Sequence, residues 1–386
     1  MGDSKGPEAK AVIRSQEEWA AARDRQVAET AEERLRAETL WRRLQASGDR
    51  KTWRDLVLND SEFESWAFCE KLCNESAELA DDDAGAALDL VELALALVPK
   101  VSCDEKLLCG IQEYIWKHVG NVLRARGDLK KAAEAFDRAG EFFLGGITGI
   151  LPSVILRDRL AGLEAALLRD RGDLVEASRM IDHALTLAGD NRASRPALLL
   201  EKVRLHRRLG RSDEALQALS WAERGAQSTS PRLLVRLEIE RGGALCDLGR
   251  HSEVRRLSSS LRKAAEDFPL ERARLLCLEG RVAAGLGRLA EAEAALEQAY
   301  AALHPRVVAD LALLSLEIAV LYARQERTAE LKRLAEQMQR LVEEPGLGRE
   351  AAATLKLWCR LAAQEKLSLE RAVQFVKDFS RVPAGR

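Results

Sequence analysis

The chain is poor in proline, aromatics and histidine, with nine Pro, 5% aromatics and five His in 386 residues. Scarce proline leaves long stretches able to remain helical, because each proline removes a backbone donor and obstructs the preceding turn. No apolar run approaches the roughly 18 residues of a membrane-spanning helix. The longest, Ala309–Leu321, carries Glu317 and reads as a buried helix face. The opening MGDSKGPEAK is polar, without a secretory pattern, and position 6 is Gly where myristoylation favours Ser or Thr. A cytoplasmic protein with no membrane partner is expected.

Catalytic and metal signatures are also missing. The five His, at 118, 183, 206, 251 and 304, form no His-x3-His pair, and neither Gly-x-Ser-x-Gly nor a phosphate-binding glycine loop occurs. No catalytic residue, cofactor or enzyme activity is expected. Cys69, Cys73, Cys103 and Cys109 fall close together with His118 nearby, which leaves a zinc site open. They lack tight Cys-x2-Cys spacing, however, and small core residues are the better reading.

What the chain has is Ala, Leu, Arg and Glu, strong helix formers that predict an almost wholly helical protein. The 60 basic and 62 acidic residues nearly cancel, yet they are not evenly spread. Residues 51–110 carry 5 basic and 14 acidic side chains, a net −9, whereas 192–264 carry 16 and 8, a net +8. A near-neutral total weighs against nucleic acid as the partner, and the separation of signs points to a local field.

A repeat organises the chain. RGDLKKAAEAF, RGDLVEASRMI, LGRSDEALQAL, LGRHSEVRRLS, LGRLAEAEAAL and RQERTAELKRL align on Gly127, Gly172, Gly210, Gly249 and Gly287, with Gln325 in the sixth copy. Successive spacings are 45, 38, 39, 38 and 38, and a weaker copy centres on Asp82. Each glycine suits a left-handed helix stop, and the Asp or Ser that often follows suits a helix start. Ala132, Ala177, Ala215 and Ala292, with Val254, stand five beyond the turn; Phe136, Ile181, Leu219, Leu296 and Leu334 stand nine beyond. Ala139, Ala184, Ala222 and Ala299 stand twelve beyond. Small positions let helices approach closely, and large ones fill the space between.

This pattern resembles the tetratricopeptide repeat (TPR) family over roughly residues 60–340. First-helix glycines fall at Gly120, Gly242 and Gly280, and the best copy is HVGNVLRARGDLKKAAEAFDRA. The period exceeds the family's usual 34 residues and its proline after the second helix is irregular. The segment FESWAFCEKLCNESAELADDDAGAALDLVELAL is similar to the opening of some bacterial multi-repeat proteins. The resemblance implies an all-α, right-handed superhelix of antiparallel helix pairs, an α-solenoid. Expected domains are a charged N-terminal segment (1–60), the repeats (61–342) and a C-terminal helix pair (343–386).

Within 1–60, residues 12–46 read as one charged helix. Trp19, Trp41, Trp53 and Trp66 suit either a buried cap or an exposed interface, the cap being preferred because solenoids need finished ends. Helices near 349–364 and 368–380 form the last pair, with Ser368 as N-cap, and GGITGILP (145–152) reads as an interrupting loop.

The resemblance further implies that first helices line a concave groove receiving an extended peptide. Carrying its groove positions across selects Tyr114, Lys117, Asn121, Arg124 and Ala125, then Arg159, Arg169 and Asp170, then Arg204, Arg207 and Arg208, then Arg236 and Asp247, then Arg274 and Arg281, then Tyr322, with a basic bias throughout. Lys117 and Asn121 match the first groups of the family's carboxylate clamp, but Leu163, Ala197 and Glu201 occupy the rest, so the full clamp is absent. Two readings of the Arg bias follow. The face either takes an acidic segment of another protein, or its guanidinium groups are consumed by neighbouring Glu and Asp. The leading expectation is a non-enzymatic interaction scaffold or regulatory adaptor; the alternative is a receptor for a small anionic or nucleotide ligand in the same groove.

Overall fold

The computed structural model describes residues 28–48, 50–145, 157–189, 194–224, 230–303, 308–342 and 349–381. The expected start of the first helix (12–27), Trp19 and nearly all of GGITGILP lie outside them. Among the described residues every regular element is helical. In chain order these are α1 (28–46), α2 (Arg50–Asn59), α3 (Trp66–Leu79), α4 (Ala84–Leu97), α5 (Glu105–Ala125), α6 (Leu129–Gly145), α7 (Arg157–Arg171), α8 (Leu174–Ala188) and α9 (Arg195–Arg208). There follow α10 (Ser212–Arg224), α11 (Pro231–Asp247), α12 (His251–Ala264), α13 (Pro269–Gly285), α14 (Leu289–Leu303), α15 (Val308–Arg324), α16 (Thr328–Leu341), α17 (Arg349–Ala363) and α18 (Leu369–Arg381).

The chain divides into two compact units, one of residues 1–75, 89–115 and 139–155, the other of 76–88, 116–138 and 156–386. In the first unit α1 packs against α3. Ala37, Leu40, Trp41 and Leu44 form its buried stripe, Arg34 makes a bidentate pair with Glu70 at 2.7 and 2.8 Å, and Lys71 reaches Glu38 at 2.5 Å. The Trp41 and Trp53 rings meet edge-on at 5.5 Å. Trp41, Trp53 and Trp66 are therefore core residues, not an exposed aromatic surface.

The second unit stacks helix pairs. Consecutive helices pack as antiparallel partners from α7/α8 onward, and the first helices also touch one another in series, α7 on α9, α9 on α11, α11 on α13, and α13 on α15. The small positions five and twelve beyond each turn are fully buried at Ala132, Ala177, Ala215, Ala292, Ala139, Ala184, Ala222 and Ala299. The large positions nine beyond are buried too, and two pack directly over first-helix glycines. A Cβ added at Gly120 would stand 2.4 Å from the Phe136 ring, and one at Gly280 would stand 2.5 Å from Leu296. Only a bare backbone lets these helices approach so closely.

Each turn has one hydrogen-bond pattern. Asp128 N–H donates to the Leu123 carbonyl at 3.0 Å and Gly127 N–H to the Arg124 carbonyl at 2.9 Å, with Gly127 at φ +81°. The same pair of bonds recurs at Gly172, Gly210, Gly249 and Gly287, all at positive φ. In the sixth turn the left-handed residue is Glu326 (φ +57°), not the expected Gln325, because Arg327 N–H is the group that reaches back to the Tyr322 carbonyl. Glu365 (φ +59°) closes the α17/α18 turn in the same way. A side chain at this φ crowds the following carbonyl. Glu326→Gly should therefore raise stability by about 1 kcal/mol, read as a higher urea midpoint; an unchanged or lower midpoint would contradict strain at this turn.

Helix starts follow the expected chemistry only in part. Asp128 accepts from Lys131 N–H at 3.1 Å and Ser368 from Arg371 N–H at 3.3 Å, but Asp173 makes no side-chain cap bond to α8. Of the seven Cys, Cys69, Cys73, Cys246 and Cys359 are buried, and burial pushes the Cys69 thiol up to about 12. Such thiols stay protonated and pack as small apolar groups. No helix among the described residues is long and apolar enough to cross a membrane.

Candidate partner-binding face

Within the second unit, the first helices bring most of the expected groove residues onto one continuous ladder of charge. Arg124 on α5 donates to Asn121 Oδ1 (2.9 and 3.1 Å) and to Asp170 of α7 (2.7 Å). Arg169, beside Asp170 at 2.8 Å, also pairs with Glu201 of α9. Arg204 holds Glu201 at 2.8 Å and Glu240 of α11 at 3.2 Å. Arg207 pairs with the same Glu240 and, at 3.0 Å, with Asp247, which Arg281 of α13 meets at 2.8 Å. Arg281 lies 3.5 Å from Glu317 of α15, and Arg274 lies 3.2 Å from Asp310 of α15. Arg236 binds Glu271 of α13 at 2.5 Å, and Lys117 binds Glu164 of α7 at 3.1 Å.

A register rule underlies four of these pairs. Arg236 and Arg274 stand thirteen residues before their left-handed turn residues, Gly249 and Gly287; their acids, Glu271 and Asp310, stand sixteen before Gly287 and Glu326. Likewise Arg204 and Arg281 stand six before, and Glu240 and Glu317 nine before, in the next repeat. A cation thus meets the acid three positions earlier, about one helical turn, on the adjacent first helix. Sequence reasoning selected the arginines with Asp170 and Asp247, and missed Glu240, Glu271, Asp310 and Glu317. The signal was present as acids at fixed offsets from successive turns, but it acquires meaning only when the offset between neighbouring helices is known.

Three expected residues sit elsewhere. Tyr114 belongs to the other compact unit, where it is buried and donates to Asn74 Oδ1 at 2.7 Å. Arg159 is half-buried near the start of α7, and Tyr322 has the Arg327 guanidinium 4.5 Å from its ring centroid. Arg208 donates to the Arg169 carbonyl at 3.1 Å and lies 3.6 Å from Asp170.

Burial opposes ionisation of Asp170, Glu201, Glu240, Asp247 and Glu271, yet the interleaved guanidinium groups prevail. The Asp170 carboxyl is held at about 2 by Arg169, Arg124 and Arg208, and Glu240 at about 2 by Arg207 and Arg204. At Glu317 burial prevails instead and raises the carboxyl despite Arg281. Unfolding returns Asp170 and Glu240 to the ordinary carboxylate range near about 4. Their contribution to stability is complete above about pH 4.5 and is lost as pH falls toward 2. Urea midpoints should thus change little between about pH 7 and 5 and drop by about pH 3; a midpoint insensitive to acid would contradict the ladder's contribution.

No family model matches the sequence, and no curated protein matches it. Seventeen solved chains match in structure, among them a Rap protein crystallised in complex with Competence and Sporulation Factor. That structure aligns over 81% of this chain and 88% of its own, at a TM-score of 0.60 and 15% identity. The fold is a tetratricopeptide-like helical repeat. At this identity the likeness concerns architecture, and the stacked pairs, left-handed turns and buried alanines described above are its physical content in this chain.

Proposed function

We propose that this chain is a non-enzymatic interaction scaffold, a cytoplasmic regulatory adaptor, which takes an acidic segment of another protein on its first-helix arginine ladder. The observation that carries the reading is the pairing of cations and acids across successive first helices. Guanidinium groups from α5, α7, α9, α11 and α13 are held on one face by carboxylates at hydrogen-bond distance. Arginine offers a planar fork suited to carboxylates, and here its geometry is set before any partner arrives. An incoming acidic segment exchanges its carboxylates for internal ones and so meets donors whose ordering entropy is already spent. The Rap structure, which carries a bound factor, supports the use of this architecture for binding.

The test is fluorescence anisotropy with Asp/Glu-rich peptides against neutral and Lys-rich controls. Acidic peptides should bind, more weakly as salt rises. The double variant Arg204→Gln/Arg274→Gln should lose about tenfold or more, equivalent to about 1.4 kcal/mol. Equal binding of acidic and neutral peptides by a folded protein would overturn the reading. Thermal stabilisation by inorganic phosphate or a nucleotide, with no peptide effect, would favour a small-anion receptor instead.

A further inference from the structure

Two further carboxylates reach the ladder from outside α5, α7, α9, α11, α13 and α15. Asp82 Oδ2 stands 2.5 Å from Arg232 Nη2, and Asp81 Oδ2 stands 3.3 Å from Arg236 Nη2. Both belong to the turn between α3 and α4, and the same Arg232 donates to the Glu78 carbonyl at 2.9 Å, a residue 154 positions away. The other acids of the ladder come from the same or an adjacent first helix, but these arrive from a remote stretch within the same compact unit.

We propose that the Asp81–Asp82 turn is an internal occupant of the partner-binding face, and that the partner is an acidic protein segment with two adjacent carboxylates, which binds by displacing it. The inference rests on reading this face as a site for acidic segments.

The charges around the turn show why an occupant is needed. Arg232 and Arg236 both bind Glu271, the first at 2.9 Å and the second at 2.5 Å. Without the turn, two guanidinium groups would share one carboxylate, leaving a positive charge in a largely buried place. Burial disfavours ionised Asp81, but Arg274, Arg236, Arg124 and Arg204 hold its carboxyl well below the usual carboxylate range. Of these cations Arg236 of α11 is the one in direct contact, at 3.3 Å.

The seat is also imperfect. Asp82 Oδ1 is buried and finds no hydrogen-bond partner among the described residues, so only one of its oxygens is well used. A buried acceptor left unsatisfied is costly. A partner whose two carboxylates are both fully bonded relieves that cost when it replaces the turn. Because the turn is tethered, it competes at an effective concentration of about a millimolar, which sets a threshold that weak acidic ligands do not pass.

The decisive comparison uses a labelled synthetic peptide of residues 76–88, SAELADDDAGAAL, and full-length protein. Variant Asp81→Asn/Asp82→Asn, which keeps the turn's shape, should bind this peptide about tenfold or more tighter than the unaltered chain. A peptide with Asn in place of both Asp should lose that gain. Equal affinity for variant and unaltered chain, lost in both on Arg236→Gln, overturns the internal occupant while leaving the acidic face intact. Failure of every acidic peptide to bind either form overturns both. A second measurement does not depend on the variant folding. In the unaltered chain, an endoproteinase that cuts after acidic residues should cleave at 81–83 faster when peptide is bound. An unchanged cleavage rate with bound peptide also overturns the proposal.

Discussion

Glu271→Ala is expected to lower the unfolding free energy by about 3–5 kcal/mol, the penalty typical of removing one partner from a buried ion pair. Glu271 is 0% exposed and lies in the first turn of α13, where the helix dipole already favours a negative charge. It accepts from Arg232 at 2.9 and 3.1 Å and from Arg236 at 2.5 Å. Alanine removes the carboxylate that those two side chains share, and at 12% and 15% exposed they cannot hydrate freely. Glu271→Gln keeps the shape and one acceptor, so it should be milder. The carboxyl of Glu271 is opposed by burial yet held low by Arg232 and Arg236, so the wild type should lose this contribution in acid whereas the Ala variant has none to lose. Urea unfolding followed by circular dichroism measures the difference. Stacked repeats unfold in segments, so amide exchange in α11 and α13 should rise more than in α17. A shift under about 1 kcal/mol with no local rise would show that Arg232 and Arg236 rely on Asp81 and Asp82 instead.

Trp358→Ala should cost a similar about 3–5 kcal/mol by a different mechanism, a cavity. Trp358 on α17 is fully buried in the apolar cluster formed with Leu331, Leu334, Ala335, Met338, Leu355 and Ala362. Removing an indole from close-packed surroundings forfeits its transfer free energy and leaves a void the helices fill only in part. The indole Nε1 finds no acceptor among the described residues. Trp358→Phe removes that unsatisfied donor along with some volume and should cost distinctly less than alanine. Thermal melts of the two variants side by side check the order. If phenylalanine and alanine are equally damaging, the loss would not scale with cavity size and the mechanism would be wrong.

Much of the fold was legible because its causes are local. Gly127, Gly172, Gly210, Gly249 and Gly287 mark the turns, since a left-handed residue is cheapest as glycine, and all five have positive φ. The alanines five and twelve beyond them had to be small wherever helices touch, and they are fully buried. The sixth turn was read one residue early because no glycine marks it, and a strained glutamate looks like any surface residue in a string of letters. The arginine series was visible on one helix face as well. Glu240, Glu271, Asp310 and Glu317 were not, because each lies 35 or 36 residues beyond its register partner while the repeat there runs 38 or 39, and that difference is an offset between packed helices.

The weak copy centred on Asp82 carries the same lesson further. Composition made 51–110 acidic and 192–264 basic, which predicted a field without saying where its ends would meet. Local propensity, turn chemistry and periodic small residues by themselves determined an all-helical stack of repeats, because each acts within a few residues along the chain. Only the tertiary structure decided that Asp81 and Asp82 would lie against Arg236 and Arg232. That contact depends on the summed geometry of many intervening helices, and no local pattern encodes such a sum.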